Sequence, residues 1–109
     1  MRAKARSDPF DALGNTHRRA ILELLAGHPQ SVQEIADRLP ISRPAVSRHL
    51  RLLNDAGLVE DEQIGNRRLY RLDERGADAA RQYLTNVWGD LGTRFRLFAE
   101  NTKPSRRRR

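Results

Sequence analysis

The chain has 109 residues, 38% of them apolar, with no cysteine and a formal net charge of +7. That length supports one domain, and so low an apolar fraction favours a core completed by a second copy. Without cysteine there is no disulfide framework, thiolate nucleophile or thiolate metal site, and no stretch approaches the run of about 18 apolar residues that a membrane span needs.

The opening MRAKARSDPF is basic but has no apolar segment behind it, so it reads as a tail rather than a secretory leader. Residues 1–7 are therefore set aside as a basic N-terminal tail. Asp8 can cap a short helix with Pro9 in its first turn, burying Phe10 and Leu13 and ending at Gly14. Asn15 caps a second helix whose apolar positions are Ile21, Leu22, Leu24 and Leu25, closed by Gly27 and Pro29. SVQE, residues 31–34, is a capping box in which the Ser31 hydroxyl and the Glu34 carboxylate each satisfy a backbone donor. The helix it opens should bury Val32, Ile35, Ala36 and Leu39 and stop at Pro40. Ser42 caps the next helix, RPAVSRHLRLL, which Gly57 ends.

In that helix Leu50 and Leu53 fall within about 40° of Val46, and the three form a buried edge. Pro44, Arg48 and Arg51 lie roughly opposite, with Ser47 and His49 on the flanks. Two helices joined by a turn of about four residues, the second basic on its outer face, have the pattern of a helix-turn-helix. Leu58 to Ile64 and Arg67 to Leu72 then flank Gly65-Asn66, a pair suited to the positive φ of a tight hairpin. The hairpin is the wing, with Asn66, Arg67 and Arg68 at its tip. Asp73 starts the last element, whose apolar residues Ala80, Leu84, Val87, Leu91, Phe95 and Phe98 recur at helical spacing, widened by Tyr83 and Trp88. Gly89 and Gly92 cost about 1 kcal/mol each relative to Ala and are weak points where this helix could bend. So broad an apolar face, together with Phe10 and Leu13, is assigned to a homodimer contact.

The charge is sorted along the chain. Residues 8–102 sum to −1, because eight basic residues sit in the ends as Arg2, Lys4, Arg6, Lys103 and Arg106 to Arg109. Within the body, residues 42–53 hold Arg43, Arg48 and Arg51 without an acid, and residues 64–71 hold Arg67, Arg68 and Arg71 likewise. Local clustering of this kind points to a phosphate-facing surface more strongly than the total does. Arg can bond guanine bidentately or grip phosphate, and Ser and His can donate to either. Catalysis has no foothold. Ser47 and His49 are about 200° apart on one helix and cannot form a nucleophile–base pair. The Glu60–Glu62 run reads as a solvated strand edge, and no glycine-rich phosphate loop is present.

The segments LGNTHRRAILELL, QEIADRLPISRPAVSRHLRLLNDAGLV and GNRRLYRLD, in this order and spacing, resemble the ArsR/SmtB family of bacterial transcriptional repressors over about residues 8–100. The resemblance implies a dimeric winged helix that occupies an operator and leaves it on a signal. By position it carries DNA contact onto Ser42, Arg43, Ser47 and His49, and wing contact onto Arg67 and Arg68. The chain departs from the family where metal should bind. Ser31 and Gln33 stand at the positions of the Cys-x-Cys thiolate site, and residues 74–102 contain no histidine. His17, His28 and His49 have no chelating spacing, so no metal or other cofactor is expected.

The expected fold is thus mainly α with a β-hairpin wing: a winged helix-turn-helix of order α-α-α-α-β-β-α over residues 8–102, dimeric through its terminal helices. Residues 103–109 form an Arg-rich C-terminal tail. The expected function is sequence-specific binding of double-stranded DNA by a homodimeric regulator, in the bacterial cytoplasm and on the nucleoid when bound. A rival reading is a nonspecific or architectural nucleic-acid-binding protein driven by its arginine tails. The effector is left open among an organic small molecule between the terminal helices, a partner protein, and none.

Overall fold

The computed structural model describes residues 8–102, with side chains described to residue 89. The tails 1–7 and 103–109 and the side chains of Leu91, Phe95 and Phe98 lie outside that range. The elements are α1 (Pro9–Leu13), α2 (Thr16–Leu25), α3 (Val32–Ala36), α4 (Arg43–Asp55), β1 (Val59–Ile64), β2 (Arg67–Leu72) and α5 (Glu74–Thr102). The order is the expected one. Two compact units make up the chain, Met1–Ala79 and Ala80–Arg109.

In the first unit every helix from α1 to α4 starts at the cap its sequence announces. Asp8, Asn15, Ser31 and Ser42 each accept a backbone N–H from the first turn that follows, which satisfies one of the helix's unpaired donors. The box at α3 closes both ways. Ser31 N donates to Glu34 Oε1 at 2.8 Å, and Glu34 N donates to Ser31 Oγ at 3.2 Å. Ile21, Ile35, Val46, Leu50 and Leu53 are fully buried and form the centre of the core with Leu25, Leu58 and Val59.

Two local expectations need correction. Phe10 is not buried: it is 39% exposed, and Ala12 is the residue of α1 that enters the core. The two lie about 200° apart on the helix, so a five-residue helix that buries Ala12 turns Phe10 outward, while Leu13 packs half-buried beside the core. The third helix ends at Ala36 rather than running to Leu39. Leu39 precedes Pro40, whose ring disfavours helical backbone at the preceding residue, and an Arg38 N–H to Ile35 carbonyl bond of 3.0 Å tightens the exit. Leu39 still packs against the core as the chain turns.

The exit of α4 is a Schellman motif. Gly57 N donates to Asn54 O at 3.0 Å and Leu58 N to Leu53 O at 2.9 Å, with Gly57 at φ 76°. Leu58 and Leu53, both buried, make the apolar contact that accompanies it. The hairpin follows in the register Val59↔Leu72 to Ile64↔Arg67, closed by Gly65 at φ 63°. A second pairing fastens it to the helices. Gln30 and Tyr70 exchange both backbone hydrogen bonds, at 3.0 and 2.8 Å. Gln30 is buried, and its amide donates to Leu24 O at 2.8 Å, so its polar side chain is satisfied.

The first turn of α5 is set against the exit of α4. Asp73 N donates to Leu58 O at 3.0 Å and Gly76 N to Gly57 O at 2.7 Å. Beyond Ala80, in the second unit, the helix continues without a break through Gly89 and Gly92. Ala80 is buried, whereas Tyr83, Leu84, Val87 and Trp88 are about half exposed, at 52, 46, 45 and 53%. Among the described residues no helix is long and apolar enough to cross a membrane.

Candidate nucleic-acid interface

Burial of Val46, Leu50 and Leu53 fixes which way α4 faces. Arg43, Pro44, Arg48 and Arg51 stand exposed and Ser47 half-buried beside them. Ser42 is exposed too, but its hydroxyl oxygen is engaged with Ala45 N at 3.2 Å, so capping is its first role. None of the three guanidiniums on this face makes an ion pair or hydrogen bond among the described residues. Their charge is available to a ligand.

The wing arginines are in the opposite state. Arg67 Nη2 pairs with Glu34 Oε1 at 2.9 Å, Arg68 pairs with Asp61, and Arg71 reaches Glu60 at 3.1 Å and Glu62 at 2.9 Å. The acid-free run of residues 64–71 is therefore not acid-free in space. The register of the hairpin sets Glu60 opposite Arg71, and that pair could have been read from a two-residue turn at Gly65-Asn66. The Glu34 contact could not, because it depends on how the wing docks on α3. Two of these carboxylates are held by a further donor. Glu34 accepts from Ser31 N, and Asp61 accepts from Asn54 Nδ2 of α4 at 3.1 Å. The backbone bond from Ser31, with the Arg67 charge as a lesser aid, holds the Glu34 carboxyl below the usual range, so it is ionised at neutral pH.

Between α4 and the wing run two shallow grooves of about 350 and 340 Å³. One is bordered by Arg43, Asn66, Arg67 and Arg68 with Gln33 of α3, the other by Ser47, Arg51, Asn54 and Asp61, and Tyr70 touches both. Of the residues expected to meet DNA, Arg43, Asn66, Arg67 and Arg68 border the first groove and Ser47 and Arg51 the second, whereas Ser42, Pro44 and Arg48 line neither, and nor does His49. Half-buried, its ring stands 5.9 Å from that of His17, and its Nδ1 lies 3.4 Å from Arg18 Nη1. Burial, then the charges of Arg18, His17 and Arg48, lower its pKa below the ordinary imidazole value. The sequence offered no sign of the Arg18 contact, which spans 31 positions.

The residues at the family's thiolate positions have other work. Ser31 caps α3, and Gln33 donates to Asp37 at 2.7 Å. Among the described residues no three His, Asp or Glu side chains gather as a metal site would require. These donors do not fit the family's metal.

Comparison with known proteins decides what this face belongs to. Residues 15–61 match the family model described as bacterial regulatory protein, arsR family. The HTH-type transcriptional regulator Rv2034 of Mycobacterium tuberculosis is 49% identical over 79 residues, 72% of this chain and 74% of that protein. The chain belongs to the arsR family. As an arsR-family protein it is a DNA-binding transcriptional regulator and not an enzyme. The transcriptional repressor SdpR of Bacillus subtilis is 36% identical over 64 residues, covering 59% of this chain and 71% of its own. The solved ArsR-like transcriptional regulator from Rhodococcus sp. RHA1 superposes with a TM-score of 0.70 at 29% identity, over 88% of this chain and 91% of that one. The winged helix-turn-helix of the arsR family is therefore the fold of this chain.

Proposed function

We propose that this arsR-family regulator acts as a homodimeric repressor on a palindromic operator. Its α4 would lie in the major groove through Ser42, Arg43, Pro44, Ser47, Arg48, His49 and Arg51, and its wing would meet the backbone through Asn66, Arg67 and Arg68. The observation that carries this reading is a set of three arginines on the outward face of α4, unpaired among the described residues, on a helix whose other face is fully buried. A rigid helix with free guanidiniums meets what base-edge readout requires. The exposed Leu84, Val87 and Trp88 on α5 support a second copy as partner, because apolar groups spaced along one helix face gain most by mutual burial.

Selection on random duplexes tests the reading. It should return a palindrome whose half-sites lie about one helical turn, or about 10 bp, apart. On that operator Arg43→Ala should cost about 1–3 kcal/mol and relax base preference at one position per half-site. Removing residues 103–109 should lower nonspecific affinity and spare operator preference. If the truncation abolishes binding while Arg43→Ala leaves the preference unchanged, the architectural reading is right and this one is wrong.

A further inference from the structure

We propose that Arg18 is a positioning residue for operator recognition: it fixes the ring of His49 and its tautomer, so that His49 meets DNA as a neutral Nε2–H donor. The inference rests on the reading of α4 as the DNA-facing helix. Its first premise is chemical. A guanidinium has five N–H donors and no acceptor, so the 3.4 Å contact between Arg18 Nη1 and His49 Nδ1 can exist only if Nδ1 offers its lone pair. The ring proton of neutral His49 then sits on Nε2, and a second proton on Nδ1 would break the contact.

The second premise is that Arg18 is itself held. Its Nε donates to Ala12 O at 2.8 Å and its Nη2 reaches Asp11 O at 3.5 Å, both at the exit of α1. Its backbone N–H is taken by the Asn15 cap at 3.0 Å. A side chain tied at one end to α1 and rooted in α2 cannot follow His49 if the ring rotates. It sets the ring, as an outer hydrogen bond sets a histidine that binds a metal. The third premise is electrostatic. The groups acting on the ring are Arg18 and His17 from α2 and Arg48 from α4, and none is a carboxylate. The approach of a phosphate would ordinarily draw a proton onto such an imidazole, and here three groups of positive or potentially positive charge oppose it.

Recognition follows from the tautomer. An Nε2–H donor can bond N7 or O6 of guanine, N7 of adenine, O4 of thymine or a phosphate oxygen, and it is blind to the amino groups of adenine and cytosine. It also makes binding insensitive to acid. A histidine free to gain a proton at the interface would tighten binding as pH falls through its pKa, by up to about one log unit of affinity per pH unit for each site.

The test uses the full chain and its selected operator duplex. In 15N-resolved spectra of the histidine rings, His49 should show an unprotonated Nδ1 and a protonated Nε2 at pH 7, and operator affinity should vary less from pH 8 to pH 6 than it does in Arg18→Met. Arg18→Met should raise the pKa of His49 and introduce a pH slope that Arg18→Met/His49→Gln abolishes. Arg18→Lys, which keeps a charged donor, should restore part of the wild-type profile. A merely structural loss at Arg18 would lower affinity equally at every pH. The inference is overturned by a proton on Nδ1 of the wild-type ring, or by an Arg18→Met protein whose His49 titration and pH profile match wild type. Wild-type operator affinity in His49→Ala would overturn it too, by removing the contact reading of His49, whereas loss of affinity in that variant together with the opposite tautomer on the wild-type ring would sink the positioning role alone.

Discussion

Placing a methyl group at Gly76 is the most direct trial of how α4 and the start of α5 are joined. A Cβ built on Gly76 would stand 2.6 Å from the carbonyl oxygen of Ala56 and 2.8 Å from both C and O of Gly57. Carbon contacts sit near 3.5 Å or beyond, so the backbones must part by roughly 0.7–0.9 Å. The obstacle cannot swing away, because it is the Schellman exit of α4, pinned by two hydrogen bonds and by Gly57 at φ 76°. Parting the chains also stretches the 2.7 Å bond from Gly76 N to Gly57 O. Overpacking costs about 1–3 kcal/mol and the lost hydrogen bond about 0.5–1.5 kcal/mol. Helix propensity returns about 1 kcal/mol, since alanine replaces glycine. The net expectation is a loss of about 1–3 kcal/mol, or about 5–15 °C in melting temperature for a chain of this size. Gly89→Ala is the paired control. Its Cβ would meet only Thr85 Cγ2 at 3.6 Å, and Gly89 lies about 180° around the helix from Ala80. That variant should gain about 1 kcal/mol. Both are read by urea denaturation at a fixed protomer concentration, because association would contribute to apparent stability. A Gly76→Ala protein as stable as wild type, beside a stabilised Gly89→Ala, would refute the close approach.

Two further expectations concern the surfaces assigned to partners. Leu84→Glu and Val87→Glu should each yield monomers or unfolded chains in analytical ultracentrifugation, because either would place a charge in an apolar seam; a wild-type-like dimer from both would exclude α5 as the contact. Glu34→Gln should tighten binding to any duplex, since a glutamine keeps the capping box while Arg67 loses its competitor for phosphate. Each additional phosphate that the wing neutralises corresponds to about one unit of salt slope and about eight-fold in affinity at 0.1 M salt, and no change should remain in an Arg67→Ala background.

The parts of the fold legible in the sequence are those decided within about four residues. A cap is a side chain bonding its own next turn, so Asp8, Asn15, Ser31 and Ser42 could be named before any tertiary contact was known. The buried edge of α4 follows from helical spacing alone, and the turn at Gly65 from its need for positive φ. What the sequence concealed is set by docking. Gln30 pairs with Tyr70 across 40 positions as a strand fragment outside any predicted strand. Arg67 finds Glu34, and Arg18 finds His49, only because α3 and α2 come to rest beside the wing and α4. Phe10 reads as core by its chemistry, yet Ala12 occupies the inward face of so short a helix.

These long-range contacts also divide the interface into a fixed part and an adjustable one. Helix α4 is held by its buried edge, by the Arg18 contact at His49, by Asn54 bonded to Asp61 of the wing, and by the Gly57–Gly76 junction at its exit. Its free arginines therefore stand on a helix that cannot roll to suit each duplex, and a register that matches only some sequences is what such rigidity provides. The wing is adjustable in charge rather than in shape. Its backbone is fastened through Gln30 and Tyr70, while its arginines rest on partly exposed carboxylates that, on the proposed docking, they would exchange for phosphates. An exchange at Arg67 or Arg68 would then leave an anchored carboxylate, Glu34 or Asp61, behind near the DNA backbone, which would offset part of the attraction. On that docking, phosphate affinity from the wing would thereby be moderated, and discrimination between sequences would be left to the unpaired residues of α4.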